Sequence, residues 1–200
     1  REFEPLIIRA VATSAVRESS NQQEFVSRAK READIKIEVI PWQQEAGLMI
    51  KGVLWKLPNT EKDILAFDIG GGSTEFILAR DRKIVSAFGT LLGAIRLTEK
   101  FISRHPIDIN EYKSLEVFLR RELREVKDKL CDFSPELLLG AAGTVTTLAA
   151  VDENIYPYDS EKVHGKSITF KRVEEILETL KRKSLDERLA MRTIEKGRED

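Results

Sequence analysis

The sequence predicts an α/β protein, and two features of the chain support this prediction. Short apolar, β-branched segments alternate with segments of helical periodicity through the first part of the chain, as in a parallel α/β sheet. Further along, three strand-like segments follow one another before helical patterns resume. With 200 residues, of which 42% are apolar and 34% charged, the chain is long enough to bury a hydrophobic core.

The first part of the chain is predicted to run strand, helix, strand, helix. The strands are apolar or alternating and the helices carry apolar residues on one face; in order they are Leu6–Thr13, Asn21–Glu32, Ile35–Ile40 and Gln43–Leu57. The polar segment Pro58–Lys62 then interrupts the pattern, and a domain boundary is predicted there.

The second part is predicted to begin with three strands and to continue with helices. The strands are Asp63–Ile69, Glu75–Ala79 and Lys83–Phe88, and the last two are close enough for a hairpin turn. The later elements are predicted, in order, as helices Gly93–Ser103 and Ile109–Leu130, a buried strand Glu136–Leu139, a short helix through Ala150, and helices Arg172–Arg182 and Ser184–Met191. Ser184 and Glu187 have the spacing of a capping box.

Composition excludes several classes of function. Lys plus Arg number 33 against 34 Asp plus Glu, so the chain lacks the basic excess of a general nucleic-acid binder. One cysteine, Cys131, permits no intrachain disulfide, and two histidines leave no Cys/His zinc site, so a metal would be a hard cation held by carboxylates. The longest uncharged run, 137–151, is too short to span a membrane, and a cytoplasmic protein is expected.

The most informative segment is residues 68–75 (DIGGGSTE). Asp68 ends a predicted strand, and three glycines allow the backbone to turn sharply against a ligand. The N–H groups of Gly70, Gly71 and Gly72, with the hydroxyls of Ser73 and Thr74, are predicted to bind phosphate. Asp68 and Glu75 are predicted to hold a divalent cation beside it. The alternative is a glycine-rich hairpin with exposed acids.

A second glycine-containing segment, residues 140–144 (GAAGT), joins a predicted strand to a predicted helix. The N-terminus of that helix can face an anion, which makes Gly143 and Thr144 candidate phosphate-binding residues. The small residues are equally suited to close packing of the strand against the helix.

Taken together, the motifs resemble those of the exopolyphosphatase / guanosine pentaphosphate phosphohydrolase (Ppx/GppA) family. The matching segments occur in the same order along the chain: residues 12–17 (ATSAVR), 68–75 (DIGGGSTE), 93–99 (GAIRLTE), 140–147 (GAAGTVTT), 163–165 (VHG) and 197–200 (GRED). Ala142 stands where the family pattern has a glycine.

The resemblance implies an actin-like, ribonuclease H-type fold of two domains with the active site in the cleft between them. Residues 1–60 correspond to the end of the first domain and residues 61–200 to most of the second, so the chain is expected to be a fragment. The family's first phosphate loop is expected upstream, and its continuation downstream.

The resemblance also assigns catalytic roles. Glu45, in a QQEA segment where the family has Glu-Glu-Ala, takes the place of the general base that directs the attacking water. Arg17 takes the place of an arginine that stabilises the transferring phosphoryl group. Taken alone, Glu45 is equally an ordinary acid in the first turn of a helix and Arg17 an ordinary salt-bridge partner. Arg96, in another matching motif, is equally a tie between a helix and the sheet.

The implied activity is hydrolysis of a terminal phosphoanhydride with Mg²⁺ or another divalent cation. Inorganic polyphosphate is the preferred substrate and guanosine pentaphosphate (pppGpp) is close behind. Neither nucleic acid nor membrane is an expected partner, and a homodimer is left open. Two alternatives stand beside the hydrolase: an ATP-dependent kinase-like transferase on the same fold, and a non-catalytic module that binds a phosphorylated ligand.

Overall fold

A computed structural model describes residues 7–55, 57 and 62–199. The chain divides into two compact units, Arg1–Leu48 and Met49–Asp200. The boundary predicted at Pro58–Lys62 lies mostly outside the described residues, and its place stays a prediction.

Unit 1 is a two-stranded parallel sheet with helices. It comprises β1 (Ala10–Ala12), α1 (Ser14–Arg17), α2 (Gln22–Ala33), β2 (Ile37–Val39) and the first residues of α3 (Trp42–Leu54). The predicted order of strands and helices is confirmed, but the first strand is shorter than predicted. Its pairing with β2 covers only three residues, from Ala10 to Ala12. Ile7 and Ile8 lie before that pairing and are 81% and 75% exposed, so the prediction of a buried strand from Leu6 was wrong for these residues.

Unit 2 is built on a four-stranded mixed sheet in the order β5–β4–β3–β6. The strands are β3 (Ile64–Ile69), β4 (Thr74–Arg80), β5 (Lys83–Thr90) and β6 (Leu137–Ala141). The first three are antiparallel neighbours, and β6 runs parallel to β3. The predicted hairpin turn is confirmed: Asp81 and Arg82 both have positive φ, 49° and 61°, as a two-residue type I′ turn requires.

The predicted helices of unit 2 occur in the predicted order, together with one short helix, Ser160–Val163, that was not predicted. They are α4 (Ala94–Phe101), α5 (Ile109–Lys129), α6 (Ala142–Asp152), α7 (Ser160–Val163), α8 (Phe170–Lys181) and α9 (Leu185–Leu189). The capping box at Ser184 and Glu187 is present. Within the described part of the chain, the helices are too short or too polar to cross a bilayer.

The sheet of unit 2 carries its most completely buried residues on one face. Ile64 and Ala66 of β3 and Ile77 and Ala79 of β4 are all 0% exposed. Leu65 and Leu78, on the opposite face, pack against Phe133 beyond α5. The strand predicted to be buried at Glu136–Leu139 is instead the edge strand β6, whose Leu138 is exposed because it has a strand neighbour on one side only.

Candidate functional site

The two acids predicted to hold a cation face each other across the β3–β4 ladder. Asp68 and Glu75 are register partners, so their Cβ atoms are separated by about 5 Å. Because side chains alternate along a strand, both acids extend the buried face that carries Ala66 and Ile77. Glu75 is itself buried, and the Ser73 hydroxyl donates a hydrogen bond of 2.7 Å to its Oε1 atom. The structure thus places both acids on one face of the β3–β4 ladder, and their role as cation ligands stays a prediction.

This donor set suits a hard divalent cation that keeps part of its shell for other ligands. Two carboxylates supply oxygen donors of the kind that Mg²⁺ binds, and Mg²⁺ commonly completes its shell with water and substrate phosphate oxygens. Within residues 7–55, 57 and 62–199, no cluster of three or more acidic, histidine or cysteine side chains is arranged to enclose a metal. A cation here would therefore need ligands from outside the carboxylates.

Between the two acids, the glycine loop turns its carbonyl groups toward the start of α4. The backbone N–H of Ala94 donates to Gly70 O at 2.9 Å, and that of Arg96 donates to Gly71 O at 3.1 Å. The Nε atom of Arg96 donates to Gly72 O at 3.0 Å. Three successive carbonyl oxygens are thus held from one side.

The N–H groups of the loop consequently point the other way. In a trans peptide, the C=O of one residue and the N–H of the next lie on opposite sides of the peptide plane. The peptides of this loop are trans, since the described cis bonds precede Pro106 and Pro157. The N–H groups of Gly71, Gly72 and Ser73 therefore face away from α4. Successive N–H groups on one side of a loop are the kind of donors from which anion-binding concavities are built.

Three predicted phosphate donors have a different role. The N–H of Gly70 donates to Ser73 O at 3.0 Å and closes the loop. The Thr74 hydroxyl donates to Leu92 O at 2.6 Å, and the Ser73 hydroxyl donates to Glu75. Because a hydroxyl has a single hydrogen to donate, neither side chain has one left for a phosphate oxygen. In this structure these groups shape the loop, and phosphate binding by Gly70, Ser73 and Thr74 stays a prediction.

The second predicted phosphate segment lies beside Asp68. Ala141, the last residue of β6, is the register partner of Asp68, and α6 begins at the next residue. The N-cap residue of α6 is Ala141, whose side chain makes no capping hydrogen bond. The N–H groups of the first turn, which include those of Gly143 and Thr144, therefore receive no side-chain cap. The Thr144 hydroxyl donates to Ile69 O at 3.1 Å and ties the helix to the end of β3, and phosphate binding by Thr144 stays a prediction.

Sequence reasoning missed Arg198, whose guanidinium lies against the start of α6. A Cβ atom added to Gly143 would stand 1.8 Å from Nη1 of Arg198, so only glycine leaves room for this contact. A cation at the positive end of a helix is unfavourable unless an anion binds between them. Glu195 lies 4.0 Å from the Nε atom of Arg198 and offsets part of this charge. An anion bound at this point is therefore a prediction that the position of Arg198 supports. Its only signal in the sequence was the matching GRED segment.

The buried Arg188 holds the segment that carries Arg198. Its Nη1 atom donates to Glu199 O at 2.8 Å. Its Nε and Nη2 atoms donate to Leu180 O at 3.2 and 2.9 Å. The residue after Arg198 is therefore fixed to the end of α8 by a charged group that water reaches little.

Within unit 1, the two residues predicted to be catalytic contact each other. The Nη1 atom of Arg17 donates to Oε2 of Glu45 at 2.9 Å and to Ile40 O at 3.0 Å. Both side chains are about three-quarters buried, with 23% and 24% exposed. The pair forms because β1 and β2 are parallel, so that α1 and α3, which follow them, begin at the same edge of the sheet.

This contact has two chemical consequences. The hydrogen bond from the Arg17 guanidinium fixes the orientation of the Glu45 carboxylate. Both described contacts of Arg17 use Nη1, which leaves a guanidinium edge for a second anionic group. A structural ion pair would have the same geometry, so the catalytic roles stay predictions.

The comparisons with known proteins identify one family. The model of the Ppx/GppA phosphatase family matches residues 1–200. A bifunctional 3-dehydroquinate synthase/phosphatase of Fusobacterium nucleatum is 38% identical over 172 residues, which cover 83% of this chain and 25% of that protein. Exopolyphosphatase 2 of Mycobacterium tuberculosis is 27% identical over 201 residues, 96% of this chain and 62% of that protein. The chain therefore spans less than two thirds of either curated relative.

Solved structures agree with this family. The crystal structure of the Aquifex aeolicus member of the Ppx/GppA family superposes with a TM-score of 0.82 at 36% identity, covering 96% of this chain and 61% of that one. An exopolyphosphatase from Cytophaga hutchinsonii superposes with a TM-score of 0.83 at 29% identity, covering 96% and 62%. The predicted fold class, α/β with an actin-like fold, is confirmed.

Proposed function

Because the chain belongs to the Ppx/GppA phosphatase family, we propose that it acts in the hydrolysis of the terminal phosphoanhydride of inorganic polyphosphate. The observation that carries this proposal is the loop between β3 and β4. There, three consecutive N–H groups face away from α4, and a pair of carboxylates flanks them on one face of the sheet. Phosphoryl transfer requires hydrogen-bond donors for the phosphate oxygens beside ligands for a cation, and this loop offers both.

The phosphate is bound by backbone donors and by arginine. The N–H groups of Gly71, Gly72 and Ser73 take oxygens of the terminal phosphate, and those of Gly143 and Thr144 add the positive end of α6. Arg198, held against Gly143, pairs with the same anion. These donors are already oriented by the fold, so little reorganisation accompanies the reaction.

Asp68 and Glu75 are the residues that would hold Mg²⁺ or another divalent cation. When bound there, the cation draws negative charge from the phosphate oxygens.

Glu45 orients and deprotonates the attacking water, and Arg17 stabilises the charge of the transferring group. The hydrogen bond from Arg17 restricts the Glu45 carboxylate to one direction, as a base that must be aimed at a water molecule requires. The guanidinium edge that does not bind Glu45 is available for a phosphoryl oxygen.

Phosphate release by the full-length protein tests this proposal. Polyphosphate and guanosine pentaphosphate are supplied separately, with and without Mg²⁺, and we expect Mg²⁺-dependent release with polyphosphate preferred. Asp68→Asn raises the Mg²⁺ concentration needed for half-maximal activity at least tenfold, because it removes one of two charged ligands. Asp63→Asn is the matched control, since Asp63 precedes the same strand at its opposite end and pairs with Arg80.

Two results would contradict the proposal. Tight polyphosphate binding without phosphate release would indicate a non-catalytic binding module. Phosphate transfer from ATP to an acceptor without net hydrolysis would indicate a kinase-like transferase. Equal responses of the Asp68 and Asp63 variants to Mg²⁺ would remove Asp68 from the cation site.

A further inference from the structure

We propose that Arg96 is a positioning residue, which sets the phosphate affinity of the glycine loop by fixing the direction of its peptide groups. The inference rests on the proposed function in one respect, that residues 70–73 bind phosphate. It adds a role for the α4 segment, which lies more than twenty residues along the chain from the loop.

The central residues of the loop, Gly71 and Gly72, have no side chains to hold them. Gly71 and Gly72 have access to a larger range of φ and ψ than any other residue, so an isolated loop would sample many orientations of its peptide groups. A flipped peptide would present a carbonyl oxygen, and therefore partial negative charge, to a phosphate. Ordering such a loop at the moment of binding costs affinity, whereas a loop ordered in advance does not.

The start of α4 supplies this order from the side opposite the N–H groups. Backbone donors of Ala94 and Arg96 hold the carbonyls of Gly70 and Gly71, and the Arg96 side chain holds the carbonyl of Gly72 at 3.0 Å. The peptide that joins Gly72 to Ser73 is therefore the one whose direction depends on a side chain. The N–H of that peptide belongs to Ser73, one of the three proposed phosphate donors.

The Arg96 side chain is suited to a positioning role because it lies outside the hydrophobic core. Arg96 is exposed, and α4 contains no buried residue. Its main-chain bond to Gly71 O stays in any substitution variant. Removal of the side chain should therefore loosen one peptide of the loop and leave the hydrophobic core intact.

The test is a titration of the ¹⁵N-labelled full-length protein with inorganic phosphate, followed through backbone amide resonances. In the wild-type protein we expect shifts of the Gly71, Gly72 and Ser73 amides, and a smaller shift for Gly70, whose N–H is bonded to Ser73 O. Arg96→Ala raises the dissociation constant for phosphate about fivefold, which corresponds to the loss of one hydrogen bond. Arg96→Lys, which keeps a donor, recovers part of the loss.

Kinetics and stability separate this role from a merely structural one. Arg96→Ala raises KM for polyphosphate by about the same factor and changes kcat less, because the bond acts on substrate and transition state alike. Arg121→Ala, at an exposed arginine of α5 that pairs with Glu122, changes neither value. The Arg96 variants stay folded, with a melting temperature close to the wild-type value.

An unchanged phosphate affinity in Arg96→Ala would overturn the inference, as would a fall in affinity that accompanies an equal loss of stability and that Arg96→Lys does not recover. Absence of shifts at Gly71, Gly72 and Ser73 in the wild-type protein would also overturn it. If phosphate shifts these amides and the Arg96 variants respond as expected, but polyphosphate is not hydrolysed, the proposed activity fails and the role of Arg96 stands.

Discussion

Gly93→Ala is expected to disrupt the glycine loop from the side that faces α4. Gly93 immediately precedes α4, and a Cβ atom at this position would lie 2.2 Å from Gly71 O and 2.3 Å from the carbonyl carbon of Gly72. Both are backbone atoms, so no side chain can turn aside to make room. The loop or the helix must move apart by roughly 1 Å, and overpacking that forces a backbone shift costs about 1–3 kcal/mol.

The shift also weakens the hydrogen bonds that cross this contact. Ala94 N and Arg96 N donate to Gly70 O and Gly71 O, and each such bond contributes about 1 kcal/mol. We therefore expect Gly93→Ala to lower the free energy of unfolding by about 3 kcal/mol.

Gly52→Ala is the matched control, and its expected effect on the free energy of unfolding has the opposite sign. Gly52 lies within α3, where an added Cβ atom would meet nothing within 4 Å beyond the backbone of its own helix. Alanine stabilises a helix interior by about 0.5–1 kcal/mol relative to glycine.

Urea unfolding of the two variants and the wild-type protein measures this difference, and phosphate affinity measures its effect on the loop. Gly93→Ala should lose affinity for phosphate even at low urea, where it is folded, whereas Gly52→Ala should bind as the wild-type protein does. Equal stability and equal phosphate affinity for both variants would refute the reasoning, because it would mean that α4 does not hold the loop.

Three further substitutions test the site and its supports. Ala142→Gly should stabilise the protein by about 1 kcal/mol in urea unfolding, because Ala142 has φ of 63°, which glycine adopts without strain; a loss of stability would contradict this. Arg188→Ala should destabilise the protein by about 3 kcal/mol, because it removes a buried guanidinium that donates three hydrogen bonds to carbonyl oxygens. A loss under about 1 kcal/mol would contradict the view that Arg188 holds the segment of Arg198 in place. The hydrogen bond from Arg80 holds the pKa of Asp63 below its ordinary value of 3.8, so its stabilisation is present above that pH and is lost as the pH falls through the lowered pKa. Melting temperatures between about pH 5 and pH 2 should accordingly fall more steeply for the wild-type protein than for Asp63→Asn, and parallel curves would exclude this linkage.

The hairpin and its acids could be predicted because the signals are local. A buried strand that ends in Asp68, three glycines and a returning strand from Thr74 leave few ways to pair, and the register then places Asp68 opposite Glu75. The capping box of α9 is equally local, since its two residues are three positions apart.

The roles of the two hydroxyls could not be predicted, because their partners are set by tertiary structure. The Thr74 hydroxyl meets a carbonyl eighteen residues along the chain, at Leu92. Sequence composition shows that a hydroxyl is present beside the glycines, but not that its hydrogen is already donated. Arg198 escaped prediction for the same reason, as it reaches Gly143 across more than fifty residues.

The predicted length of the first strand was too great, because an apolar segment forms a strand only where a neighbouring strand is present to pair with it. Ile7 and Ile8 have the composition of a strand, yet pairing with β2 begins only at Ala10. Burial of a strand depends on what covers both its faces, and a single segment of sequence does not contain that information.

The most direct test of the proposed hydrolase is phosphate release by the full-length protein carrying Glu45→Gln. The amide oxygen of glutamine can still accept the hydrogen bond from Arg17, so the variant removes the base and keeps the contact. Glu38→Gln is the matched control, because Glu38 also pairs with an arginine, Arg9, in the same unit.

We expect Glu45→Gln to lower kcat by about 10²–10⁴-fold, the usual contribution of a general base, with KM within about threefold of wild type. Glu38→Gln should keep wild-type kinetics. A kcat for Glu45→Gln equal to that of the Glu38 control would contradict the assignment of Glu45 as the base and leave its pair with Arg17 as a structural contact.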